Sequence, residues 1–307
     1  MIELPDEVVA KARLRGAEGE AWLADLPALV AELEQAWRIS VGRPLSGGAE
    51  ALVAEAVTAD GEAAVLKLTI RGQDPRHLEA KTLIAGAGRG YVRLLRGDAD
   101  RDALLLERLG ARLGQFDFPA QAELEVICRT LAEAWTAPTA GLDLPTGPEK
   151  AAGVVAFIEE TWPRLGKPCA ARTLDVAAEY AKRRAAAHDS ARAVLAHGDA
   201  HAANALQVPG EPDRFRLIDP DGLVIEPAYD LAIPMREMRV ALGAEDALAK
   251  GRQRCALLSR LTGVEPRPIW EWGLIERVSS GLVLLQIGLT ALGAEFLQVA
   301  DLWAEAA

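Results

Sequence analysis

The stretch Leu195-Ala196-His197-Gly198-Asp199-Ala200-His201-Ala202-Ala203-Asn204, with Leu217-Ile218-Asp219-Pro220-Asp221-Gly222 after it, decides how this chain is read. It is the densest polar cluster in an otherwise apolar setting. Asn204 follows Asp199 by five positions, and Asp219 follows Asn204 by fifteen. Carboxylates and an amide held between hydrophobic runs suggest a magnesium-dependent site. Phosphoryl transfer needs such parts: a carboxylate to orient the attacking hydroxyl, and hard oxygen ligands to hold magnesium on the phosphates.

The protein-kinase signature, H-R-D-L-x-x-x-N followed by D-F-G, has the same Asp-to-Asn interval. Upstream, Ala64-Val65-Leu66-Lys67 is loosely like the kinase V-A-I-K strand. On that reading Lys67 contacts the α- and β-phosphates of ATP. Glu79, in the first turn of the next helix, pairs with Lys67 and holds it extended.

Outward from these motifs, periodicity separates two regions. Apolar positions Trp22, Leu26, Leu29, Val30, Leu33 and Trp37 recur at helical spacing over 18–37. Ser46-Gly47-Gly48-Ala49 reads as a glycine-containing turn, followed by strands at 51–57 and 63–70. Asp60-Gly61 between them is a hairpin signal. A helix is expected at 77–86, and strands at 91–95 and 103–106 flank a polar turn at 96–102. A hinge is placed at 107–110, where strand signals stop. Beyond it, helices are expected at 121–137, 149–160, 173–195 and from Tyr229 onward, with short apolar runs at 194–196 and 215–218. The expected fold is α+β and bilobal: a β-rich lobe over 1–108 and a helical lobe over 109–307.

Composition narrows the function classes. The 307 residues carry 34 basic and 45 acidic side chains, a formal net charge of −11. That argues against a nucleic-acid partner, which needs a basic face, and is compatible with a cationic small molecule. Cys128, Cys169 and Cys255 form no CxxC pair, so neither a disulfide framework nor a zinc ribbon is expected. The N-terminus lacks a signal-peptide pattern. The apolar run at 281–294 is broken by Gln286 and Thr290 and is too short to span a bilayer. A cytoplasmic protein with no membrane partner is expected.

HGDAHAAN, IDPDG and Glu226-Pro227-Ala228-Tyr229-Asp230-Leu231-Ala232 together resemble the aminoglycoside phosphotransferase family. The similarity is greatest to its streptomycin 6-kinase and hydroxyurea phosphotransferase branch, which PLSGGAEALV, AVLKL and YVRLLRGDADRDALLLERL also resemble. The resemblance implies a protein-kinase-like fold and transfer of the ATP γ-phosphate to a hydroxyl of a small, cationic acceptor of streptomycin type. It implies Asp199 as the catalytic carboxylate, Asn204 and Asp219 as magnesium ligands, and His197 and Asp230 as braces of the loop. The backbone of Glu107 to Leu109 would meet the adenine edge, while Ser46, Gly47 and Gly48 would cover the phosphates. Side chains of Glu107 and Arg108 are expected to be ordinary surface charges. Glu271 and Glu276 are candidate partners for acceptor guanidinium groups. Two rivals of other classes stand beside this reading. One is a metal-dependent hydrolase using His197, Asp199 and His201 as an H-x-D-x-H cluster. The other is an inactive kinase-like binding module.

Overall fold

The computed structural model describes residues 4–45, 51–70, 77–237 and 244–306. Ser46, Gly47 and Gly48 lie outside the described residues. The chain opens with two helices, α1 (Asp6–Leu14) and α2 (Ala17–Trp37). In α2, Trp22, Leu26, Val30, Leu33 and Trp37 are buried. Their three- and four-residue spacing forms one apolar stripe, which packs on the first sheet.

That sheet contains β1 (Ile39–Pro44), β2 (Ala51–Thr58), β3 (Ala63–Thr69), β4 (Leu94–Asp98) and β5 (Ala103–Glu107). Its order is β1-β2-β3-β5-β4, with every neighbouring pair antiparallel. The Asp60-Gly61 turn joins β2 to β3, and Gly61 takes a φ of 83° there. Strand alternation then sorts β3 into two faces. Leu66 and Leu68 are buried in the core shared with α2. Lys67, paired with Val53 and Leu104, stands on the other face. Helix α3 (Leu78–Gly86) follows β3 and carries Glu79 in its first turn.

The strand expected at 91–95 is displaced. Tyr91 instead forms a parallel bridge to Leu217 in the second half of the chain. It is fully buried, and its hydroxyl donates to the Leu195 carbonyl at 2.8 Å. Strand β4 starts at Leu94 and runs through Arg96, Gly97 and Asp98, the residues read as a turn. The turn itself falls at 99–102. A tertiary anchor for one aromatic side chain has overridden the local pattern.

The second lobe is helical: α4 (Ala120–Ala134), α5 (Gly147–Arg164), α6 (Ala171–Ala186), α7 (Ala228–Arg236), α8 (Ala244–Thr262), α9 (Pro266–Gln286) and α10 (Thr290–Glu305). Helix α5 starts on a capping box, in which Glu149 accepts from the Thr146 backbone N–H and hydroxyl at 2.7 Å each. The helix expected to reach residue 195 stops at Ala186. The apolar run after it leaves the helix for sheet pairing: β6 (Val194–Ala196) pairs antiparallel with β9 (Leu223–Ile225). A hairpin of β7 (Ala205–Val208) and β8 (Glu211–Leu217) lies between them in sequence. Only the end of β8 stood out as an apolar run. No helix among the described residues is long and apolar enough to cross a membrane.

Candidate active site

The strand pairing places two loops side by side. Residues 197–204 link β6 to β7, and residues 218–222 link β8 to β9. Backbone bonds lock them together. The Ile218 N–H donates to the Asn204 carbonyl, and the Asp221 N–H to the His197 carbonyl, both at 2.9 Å. Gly198 has a φ of 89°, and a Cβ there would come within 2.8 Å of the Asp221 Cβ. Only glycine therefore allows this approach.

His197 is fully buried and stacks on the Tyr91 ring, 6.0 Å between centroids. Its Nδ1 accepts the Asp199 N–H at 3.1 Å, so Nε2 carries the proton and donates to the Ile218 carbonyl at 2.8 Å. Both ring nitrogens are thus spent on holding the two loops. That removes His197 from the metal-ligand trio of the hydrolase reading, and no three-ligand His/Cys/Asp/Glu cluster occurs among the described residues. Asp230, at the start of α7, is also fully buried. Its Oδ2 accepts from the His197 N–H at 3.1 Å and from Trp135 Nε1 at 2.8 Å, and its Oδ1 accepts from the Gly198 N–H at 2.8 Å. Burial pushes this carboxyl upward, opposed by those three donors.

Asp199 emerges from the loop into a cleft of about 710 Å³. One oxygen, Oδ1, accepts from Arg236 Nη2. The other faces His201 Nε2 at 3.4 Å. Burial opposes the charge of Asp199, but the hydrogen bond from His201 and the guanidinium of Arg236 outweigh it and hold the carboxyl far below the ordinary range. His201 itself is desolvated, yet Asp199 raises its pKa. Asn204 donates from Nδ2 to the Asp199 carbonyl at 3.1 Å, which leaves its amide oxygen as the available ligand atom.

The first lobe supplies the facing wall. Lys67 Nζ donates to both Glu79 oxygens and to Asp219 Oδ1, each at 2.7 Å. Burial pushes the lysine down, but Glu79 and Asp219 outweigh it and raise it well above its usual value. Asp219 has a left-handed φ of 57°, a strained backbone for a non-glycine residue. An amide oxygen and a carboxylate suit magnesium, which keeps much of its shell for phosphates and water. Val53, Val65, Leu106, Leu206 and Ile218 make the apolar part of the same cleft, and Glu107 and Leu109 lie at its edge. Leu109 is 6% exposed, and its N–H has no hydrogen-bond partner among the described residues.

Several side chains differ from their expected roles. Glu107 is buried, accepting from the Arg93 N–H and Nε at 2.8 Å each and from Arg216. It is therefore not a surface charge. Glu271 is 1% exposed and ringed by Arg183, Arg184 and Arg267 at 2.5, 2.6 and 3.0 Å, so it has no face for an acceptor. Glu276 is likewise buried, accepting from the Tyr229 hydroxyl at 2.7 Å and facing Arg236 Nη1 at 3.5 Å. Arg236 escaped the sequence reading. It is one arginine at the end of a helix, and no spacing rule links it to Asp199.

Comparison with known proteins gives the family and the fold. Residues 37–288 match the family model described as aminoglycoside/hydroxyurea antibiotic resistance kinase. A hydroxyurea phosphotransferase of Kitasatospora aureofaciens is 35% identical over 243 residues, covering 75% of this chain and 67% of the relative. A streptomycin 6-kinase of Streptomyces glaucescens is 30% identical over 305 residues, covering 95% and 94%. Among solved structures, the choline kinase LicA of Streptococcus pneumoniae superposes with a TM-score of 0.62 at 16% identity, covering 92% of this chain and 99% of its own. An aminoglycoside phosphotransferase in complex with ADP and hygromycin B gives 0.58 at 17%, covering 90% and 97%. The architecture is thus kinase-like.

Proposed function

Because the chain belongs to the aminoglycoside/hydroxyurea antibiotic resistance kinases, and is a phosphotransferase with a hydroxyl-bearing acceptor, we propose that it transfers the ATP γ-phosphate to an aminoglycoside of streptomycin type. The observation that carries the site assignment is convergence. Asp199, Asn204, Asp219, Lys67 and Glu79 come from four separate stretches of sequence and line one cleft.

On this reading the adenine enters the apolar part of the cleft and meets the Leu109 N–H and the Glu107 carbonyl at a hinge between the lobes. Lys67, held by Glu79, binds the α- and β-phosphates. Asn204 and Asp219 hold magnesium, which would neutralise the phosphate charge. Asp199 accepts a hydrogen bond from the acceptor hydroxyl and aims its oxygen at the γ-phosphorus. The new O–P bond forms as the bond to the β-γ bridging oxygen breaks, and ADP leaves. Asp199 takes the hydroxyl proton late, as the O–P bond forms, and passes it on to solvent. Positioning and a preorganised charge pattern supply the rate.

A second cavity of about 650 Å³ meets the first at Leu78 and Asp221 and provides room for the acceptor. Asp221 is the carboxylate at that junction. The streptomycin 6-kinase similarity over nearly the whole chain supports the acceptor class. The 35% relative supports hydroxyurea as the second reading. ADP release with streptomycin, other aminoglycosides and hydroxyurea as acceptors separates these. Streptomycin-dependent release is expected. Stimulation by hydroxyurea alone would move the acceptor to the second reading, and no stimulation by any of them would overturn the acceptor class.

A further inference from the structure

Helix α7 touches the catalytic loop twice. Its first turn presents Asp230, which fixes the loop backbone at His197 and Gly198. Its last residue, Arg236, reaches the Asp199 carboxylate itself. The guanidinium is not a loose surface charge, since its side chain is only 18% exposed. Its other arm, Nη1, lies 3.5 Å from Glu276 Oε2 on α9.

Glu276 is in turn held in place. The Tyr229 hydroxyl donates to its Oε1 at 2.7 Å, and Lys150 Nζ lies 3.9 Å away. Trp272 packs edge-on against the Tyr229 ring at 5.1 Å. The backbone entering Arg236 is anchored too. Arg277 donates to the Met235 carbonyl at 2.9 Å and is itself clamped between the Phe296 and Trp303 rings, 5.0 and 4.9 Å from their centroids. The chain of contacts runs from the aromatic core of α9 and α10 to a single carboxylate oxygen.

We propose that Arg236 is a positioning residue that acts through Asp199, one arm of its guanidinium fixing the catalytic carboxylate while Glu276 fixes the other. This inference rests on the catalytic assignment of Asp199. A carboxylate on a single Cα–Cβ–Cγ hinge rotates freely unless its oxygens are held, and reaction rates fall steeply when the acceptor oxygen is misaimed. With Arg236 on Oδ1 and His201 facing Oδ2, the plane of the group is set before any acceptor arrives. On the proposed site ATP is held by Lys67 and, through magnesium, by Asn204 and Asp219, so the effect belongs to kcat rather than to the KM for ATP.

The test is a double-mutant cycle of Arg236→Met with Asp199→Asn, read as ADP release with streptomycin or water as acceptor. Arg236→Met is expected to lower kcat by about tenfold or more while the KM for ATP stays within about twofold. In the Asp199→Asn background it should cost less than about threefold further, because the group it positions is already gone. Arg236→Lys should fall between, since an ammonium keeps the charge but loses the two-armed geometry. Added methylguanidine should recover part of the rate of Arg236→Met. Melting temperature, with and without magnesium-ATP, checks that each variant is folded. Unchanged kcat in a folded Arg236→Met, or the full loss repeated in the Asp199→Asn background, would overturn the proposal. A rise confined to the KM for ATP would make Arg236 a phosphate ligand instead. If Asp199→Asn alone turned over normally, the catalytic reading would fail, which is a separate outcome.

Discussion

Lys67 shows how much one side chain can be asked to do. Its ammonium meets three carboxylate oxygens from two elements, Glu79 on α3 and Asp219 in the loop after β8. A buried charge is tolerated only with such partners. With ATP present, the same ammonium is expected to contact phosphates, and Glu79 alone to keep it extended. Lys67→Ala should therefore raise the KM for ATP and lower kcat together, reducing kcat/KM by about a hundredfold or more. Initial-rate kinetics over a range of ATP concentrations reads this directly, and unchanged constants would remove Lys67 from the phosphate site. That Asp199, Asn204, Asp219 and Lys67 would meet in one cleft was legible in the sequence, because their spacing and residue types match a single motif set. Arg236 was not, and His201 stood out only as a member of the rival H-x-D-x-H cluster. Their roles depend on where α7 and the loop end up in space, which no interval in the chain encodes.

Local causes and distant partners divide the secondary-structure elements. The hairpin at Asp60-Gly61 and the stripe in α2 were readable because each is a local pattern with a local cause. The strand at 91–95 was misread because Tyr91 answers to a distant partner, the Leu195 carbonyl, rather than to its neighbours. The long helix forecast to residue 195 ended early for a similar reason: Val194–Ala196 is recruited by β9. A further element-scale contact joins the lobes. Gly222 has a φ of 71°, and a Cβ there would lie 2.1 Å from Thr82 Oγ1 on α3. Gly222→Ala must strain the loop and push α3, with Glu79, away from Lys67. We expect a stability loss of about 2 kcal/mol and a weaker upward shift of melting temperature by magnesium-ATP. An unchanged melting curve with and without nucleotide would show that this approach carries no strain.

At the scale of the whole molecule, the two lobes are tied by charge as well as by loops. Glu107 at the end of β5 binds Arg93 beside the first sheet and Arg216 on β8. Burial pushes its carboxyl up, but the bonds from Arg93 and Arg216 prevail and hold it below its ordinary value. A depressed carboxyl contributes stability above its unfolded pKa of about 4.3, and that contribution is lost as pH falls through the folded value. Glu107→Gln should therefore melt lower than the parent at neutral pH, by the equivalent of about 1–2 kcal/mol, and the gap should close on acidification below about pH 4. A gap that persists in acid would mean that shape rather than charge is what Glu107 supplies. The kinase-like reading as a whole turns on the carboxylate at the centre of the cleft. The most direct measurement is γ-phosphate transfer to streptomycin by the parent and by Asp199→Asn, alongside magnesium-ATP binding by both. The variant is expected to bind magnesium-ATP almost as well and to lose about a thousandfold or more in kcat, whereas transfer at the parental rate would rule out Asp199 as the catalytic carboxylate.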